Sequence, residues 1–151
     1  MAQANIELLK KIRLETSASI ADCRAALEET DNNYEKAIEW LKKRGLEKAA
    51  KKSEREASQG LVESYIHNGG KVGALIVLQC ETDFVARTDE FKALAKEIGM
   101  QVSAMDPENV EALLKQEYIR DASLTIEDLI KSVIGKLGEN IVLREFKRFA
   151  I

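Results

Sequence analysis

A β-hairpin in the middle of this chain sets the terms for everything around it. Residues 60–67, GLVESYIH, carry the β-branched and aromatic side chains that suit a pleated surface. They run into NGG at 68–70, whose Asn-Gly step provides the positive φ angles of a tight hairpin turn. The return segment KVGALIVLQC, 71–80, is almost continuously apolar, which predicts a strand largely buried on both faces. Two strands alone are marginal in water, so the remaining chain must cover them.

Downstream segments can do so. In DEFKALAKEIGMQVSAM, residues Phe91, Leu94, Ala95, Ile98 and Val102 recur at helical spacing, with Thr88 as the cap. Pro107 suits the start of a further helix containing Val110, Leu113 and Leu114. Thr125 and Asp128 form a capping-box pattern ahead of Ile126, Leu129, Ile130, Val133, Ile134 and Leu137. Gly138 stops that helix, and ENIVLREFKRF alternates as a last strand. Residues 58–151 therefore predict an α+β core, a small antiparallel three-stranded sheet with helices packed on one face. Such a sheet has two edges, and an open edge favours a homodimer.

The first 45 residues read differently. Leu8, Leu9 and Ile12 give one helix an apolar face, and Ser19 with Asp22 opens a second with Ile20, Cys23 and Leu27 inward. After TDNN, Asn32 or Asn33 caps a third helix with Tyr34, Ala37, Ile38 and Leu41 as its stripe and Gly45 as its stop. Trp40 lies on the flank of that stripe, suited to core packing or to a partner. A basic stretch follows: KKRGLEKAAKKSER, 42–55, has seven basic and two acidic residues. It predicts a domain boundary, with a helical linker over 46–57.

Composition removes several classes of function. A net charge of −3 gives no reason to expect direct nucleic-acid or membrane binding, and the basic stretch has no aromatic residue for base stacking. The start of the chain lacks the order of regions found in a signal peptide, and the two cysteines have no metal or redox spacing. A cytoplasmic protein with reduced thiols is the expectation. The single histidine, His67, falls beside the hairpin turn, where a solvated side chain is expected. Cys80 ends an apolar strand without a second histidine to activate it, and Cys23 faces a core, so neither reads as a nucleophile. No phosphate loop, metal site or cofactor site is expected, and no enzyme.

CETDFVART, 80–88, is harder to dismiss. It places Phe84, one of four phenylalanines, between an acid and a valine just after the buried strand ends. Residues in such a connection are held outward by a rigid scaffold, where binding groups concentrate. Composition alone leaves Phe84 balanced between core and contact.

Motifs across the chain resemble those of the bacterial elongation factor Ts family. TSASIADCRAAL at 16–27 is similar to its N-terminal signature, TDFVA at 82–86 to its core signature and GENI at 138–141 to its C-terminal one. AAKK at 49–52 fits the family's linker. The resemblance implies a ubiquitin-associated-like three-helix domain over 1–45, followed by an α+β core that packs on the GTPase elongation factor Tu. It implies nucleotide exchange on that partner. Thr82, Asp83, Phe84 and Val85 would form the element that pushes between helices of the GTPase and disturbs its magnesium site. Ala18, Ser19, Ile20 and Ala21 would touch its nucleotide-binding domain.

The chain departs from the family pattern in carrying one copy of the core, as in short members where two chains combine. Arg144 is also followed by Glu145, where the family often continues with a basic residue. The alternative is a helical adaptor whose three-helix domain binds ubiquitin-like or peptide ligands while the core dimerises.

Overall fold

The structure, a computed structural model, describes residues 2–151. It opens with helices α1 (Ile6–Thr16), α2 (Ile20–Glu29) and α3 (Tyr34–Lys52). Asn5 caps α1 by accepting from the Glu7 and Leu8 amides, and Asn33 rather than Asn32 caps α3. Ile12, Cys23, Ala26, Leu27, Ala37 and Leu41 form a small core, with Trp40 packed at its margin. The Arg44 guanidinium lies 5.4 Å from the Trp40 ring centroid. Ile20, expected inward, is 50% exposed. It is the first residue of α2, where the helix has not yet met its neighbours.

Gly45 does not stop the third helix. α3 continues to Lys52, and Ala49, within the expected linker, is buried in the larger core. A Cβ placed on Gly135 of α7 (Ile126–Leu137) would meet the Gly45 Cα at 3.3 Å. The glycine is thus a crossing point: the two helix backbones approach where neither carries a side chain.

The sheet contains β1 (Gln59–Ile66), β2 (Val72–Cys80) and β5 (Ile141–Ala150), all antiparallel, in the order β1-β2-β5. Helix α5 (Asp89–Met105) packs on it, burying Phe91, Leu94, Ala95, Ile98 and Val102 as their spacing predicts. Both halves of the Thr125–Asp128 capping box are formed at α7. The central strand is not buried on both faces. Ala74, Ile76, Leu78 and Cys80 point into the core, but Leu75 is 46% exposed. Helices cover one face only, and Val62, Ile66, Leu75 and Phe149 stand exposed on the other. In β5 the register shifts so that Leu143 faces Leu78 and Glu145 faces Val77, which leaves Arg144 as the bulged residue.

Two further details differ from expectation. Pro107 is buried ahead of helix α6 (Val110–Lys115), whose cap is Asn109. A second small hairpin, β3 (Glu117–Tyr118) with β4 (Asp121–Thr125), was not foreseen. Its amphipathic signal is too short to read, and a buried side chain holds it. The Gln101 amide donates to the Glu117 carbonyl at 3.0 Å and accepts from the Ile119 N–H at 3.1 Å.

Candidate functional site

β2 ends at Cys80, and the chain turns at once. Residues Asp83–Ala86 form a single helical turn, α4, where the sequence predicted a loop. Thr82 is its cap: the hydroxyl accepts from the Val85 N–H at 3.3 Å. In one turn, successive side chains point about 100° apart, so four residues divide between inside and outside. Val85 and Ala86 are buried, at 9% and 4% exposure, while Phe84 is 85% exposed. That figure decides the question left open by composition: Phe84 is displayed, and Val85 is its anchor.

Asp83 is not what fixes the segment. Instead its carboxylate pairs with the Arg87 guanidinium one turn later, both exposed. Thr82 and a partner distant in sequence do the fixing. The Thr82 N–H donates to Glu139 Oε1 at 2.9 Å, and the Thr82 hydroxyl donates to Glu139 Oε2 at 2.7 Å.

The return contact runs the opposite way. The Asn140 N–H donates to Glu81 Oε1 at 2.8 Å, so each segment gives a backbone donor to the other's glutamate. Asn140 is 3% exposed, and its amide also donates to the Arg55 carbonyl at 2.8 Å. Three junctions therefore meet: α3 to β1, β2 to α4, and α7 to β5. GENI divides its labour accordingly. Gly138 ends α7 in the left-handed conformation, Glu139 and Asn140 tie the junctions, and Ile141 enters the core. The sequence named this motif but not the work of Glu139 and Asn140.

Cys80 contributes nothing nucleophilic. It is fully buried, its thiol donates to the Thr82 carbonyl at 3.1 Å, and burial followed by the Glu139 charge pushes it up. His67 is exposed, within 3.2 Å of the Tyr65 hydroxyl.

The second candidate element starts where Ser17 leaves α1 in the left-handed conformation. Ser19 caps α2 through the Asp22 N–H, and Ser19, Ile20 and Ala21 are exposed while Ala18 is half-buried. Asp22 gives no second half of a capping box. Its carboxylate accepts from the Ser19 hydroxyl at 2.7 Å and from Lys48 Nζ at 2.6 Å, and Arg44 lies 3.5 Å away. Burial works to raise this carboxyl, but the Lys48 and Ser19 hydrogen bonds and the Lys48 charge together hold it below its ordinary value. The start of α2 is thereby tied to α3.

Among the described residues, no group of three or more His, Cys, Asp or Glu is placed to hold a metal ion. No helix among them is long and apolar enough to cross a membrane.

Comparison with known proteins places this chain among relatives. A family model described as "Elongation factor TS" matches residues 81–151, which include both TDFVA and GENI. "Elongation factor Ts" of a Nostoc species is 49% identical over all of this chain, which covers 48% of that protein. The chain therefore spans about half of that relative's length. The protein of the same name from a Picosynechococcus species is 39% identical, with all of this chain and 90% of that protein covered. A chloroplastic form from Guillardia theta is 40% identical, with 99% and 89% covered. The Picosynechococcus match runs over 197 positions against the 151 residues here, so that relative carries segments this chain lacks.

Proposed function

Since this chain belongs to the elongation factor Ts family, we propose that it is a guanine-nucleotide exchange factor of translation elongation. Its partner in this reading is the cytoplasmic GTPase elongation factor Tu, and it acts by binding rather than by catalysing a reaction of its own. The observation that carries the reading is Phe84, displayed at 85% exposure on a turn that buried Val85 and Ala86 anchor. An exposed phenylalanine costs free energy in water and gains it back inside an apolar cleft of a partner.

Exchange requires the factor to bind the nucleotide-free GTPase better than the loaded one, and linkage makes that preference reciprocal. Weakening nucleotide binding ten-thousand-fold takes about 5.5 kcal/mol of differential binding. Burying Phe84 contributes only about 1.5–3 kcal/mol. The rest is assigned to dislodging the magnesium that bridges the nucleotide phosphates, and to contacts elsewhere. Ser19, Ile20 and Ala21, exposed at the start of α2, are suited to hold the partner's nucleotide-binding domain while Phe84 enters. Asp83 does not capture the magnesium: it is a lone exposed carboxylate already paired with Arg87.

We further propose that the chain works as a homodimer. The open sheet face supports this, because Val62, Ile66 and Phe149 are 66–68% exposed and lie on one side of the sheet, on the two strands that flank β2. An apolar face of that kind is suited to pack against its own copy, sheet on sheet.

The test is release of a fluorescent GDP analogue from elongation factor Tu, with magnesium varied. Wild type should accelerate release, Phe84→Ala should not, and high magnesium should slow the wild-type reaction. A wild-type chain without effect at any concentration would end the exchange reading.

A further inference from the structure

We infer that Glu139 is the positioning residue of the exchange element, acting through Thr82 on the turn that displays Phe84. This rests on the exchange reading above.

A four-residue helical turn has no stability of its own, because nucleation fixes several dihedral angles for a single hydrogen bond. α4 must therefore be held from outside. Val85 and Ala86 anchor one side by burial, but burial alone leaves the turn free to unwind from its start. The Glu139 carboxylate closes that start. Each of its oxygens takes one Thr82 donor, at 2.9 and 2.7 Å, and the same hydroxyl then caps Val85. Bonds to an ionised acceptor are roughly twice as strong as neutral ones.

Glu139 is itself fixed from both sides. Gly138, at φ 77°, reverses the chain after α7, and the next residue after Glu139, buried Asn140, donates to Glu81 and to the Arg55 carbonyl at the end of the basic stretch. Load placed on Phe84 by a partner thus passes through Thr82 and Glu139 to α7 and the sheet. The element enters the partner already formed, so ordering the turn does not subtract from the binding energy.

The clasp is read in two ways. Stimulated GDP release is measured with wild type, Phe84→Ala, Glu139→Ala, Thr82→Val and Thr82→Ser. Amide exchange is followed on each chain alone. Losing a charge-assisted bond at the turn should lower the maximal stimulated rate about tenfold in Glu139→Ala and Thr82→Val. The half-saturating concentration should change little. Thr82→Ser, which keeps both donors, should behave as wild type, and the Thr82→Val/Glu139→Ala pair should be no worse than either single change. Exchange of the Val85, Ala86 and Arg87 amides should quicken in Glu139→Ala while β2 stays protected.

If Phe84→Ala is inactive but Glu139→Ala is fully active, the positioning role is overturned and the exchange reading stands. If Phe84→Ala stimulates as well as wild type, α4 is not the exchange element and the positioning role falls with it, whereas a wild type without effect ends the exchange reading itself. Should Glu139→Ala loosen β2 as much as α4, Glu139→Gln, which keeps the shape and one acceptor, is judged by the same two readouts. Loosening of β2 there as well would mark Glu139 as merely structural and overturn the inference.

Discussion

A Cβ added to Gly135 would stand 3.3 Å from the Cα of Gly45, whereas a Cβ added to Gly45 meets nothing within 4 Å. The crossing of α3 and α7 is therefore tight from one side only, and the two glycines should respond oppositely to alanine. Gly45→Ala gains helix propensity in open space and should stabilise the chain by about 0.4–1 kcal/mol. Gly135→Ala gains a similar amount but must push a backbone aside, an overpacking cost of about 1–3 kcal/mol, so it should destabilise by about 1 kcal/mol. Urea unfolding of the two variants checks the contrast.

Phe84→Ala should separate stability from activity. An 85%-exposed side chain has little packing to lose, so unfolding free energy should move by no more than about 0.5 kcal/mol. Stimulated GDP release should fall by about ten-fold or more, from the loss of about 1.5–3 kcal/mol of contact in the partner. A large drop in melting temperature would return Phe84 to the core.

Asp22 should leave a mark on acid stability. Its carboxyl is held below the ordinary value of 3.8 in the folded chain. The unfolded state then binds the proton more readily, so this contribution is present above pH 3.8 and lost as the pH falls below it. Asp22→Asn should flatten that part of the stability curve and free the Lys48 and Arg44 side chains. Unfolding followed from pH 7 down to pH 2 tests it.

The open sheet face gives a test of assembly. Val62 is 66% exposed and pairs with Val77 of the central strand. Val62→Lys keeps a solvated side chain in a monomer but buries a charge between two packed sheets. Sedimentation should show the wild type as a dimer and Val62→Lys as a monomer of unchanged melting cooperativity. Equal masses for both would remove this face as the interface.

How far the sequence reaches can be read from particular residues. Thr88, Thr125 and Gly138 announced helix ends correctly, because a cap is a contact among neighbours in the chain. The stripes of α5 and α7 and the pairing of β1 with β2 were legible for the same reason, since period and turn chemistry are local. Phe84 could be singled out, but its direction could not. Whether a turn shows or hides a side chain depends on what packs beneath, here Val85 and Ala86 on the core.

Tertiary structure decided the rest. Gly45 has the chemistry of a helix stop, yet α3 passes through it because Ala49, one turn further on, is buried in the larger core. β2 is apolar throughout, but which of its faces the helices cover follows from the placement of α5. Glu139 and Thr82 lie in different motifs, far apart in the chain. No local pattern could pair them, because the fold alone brings the end of α7 beside the end of β2 and turns two short signatures into one clasp.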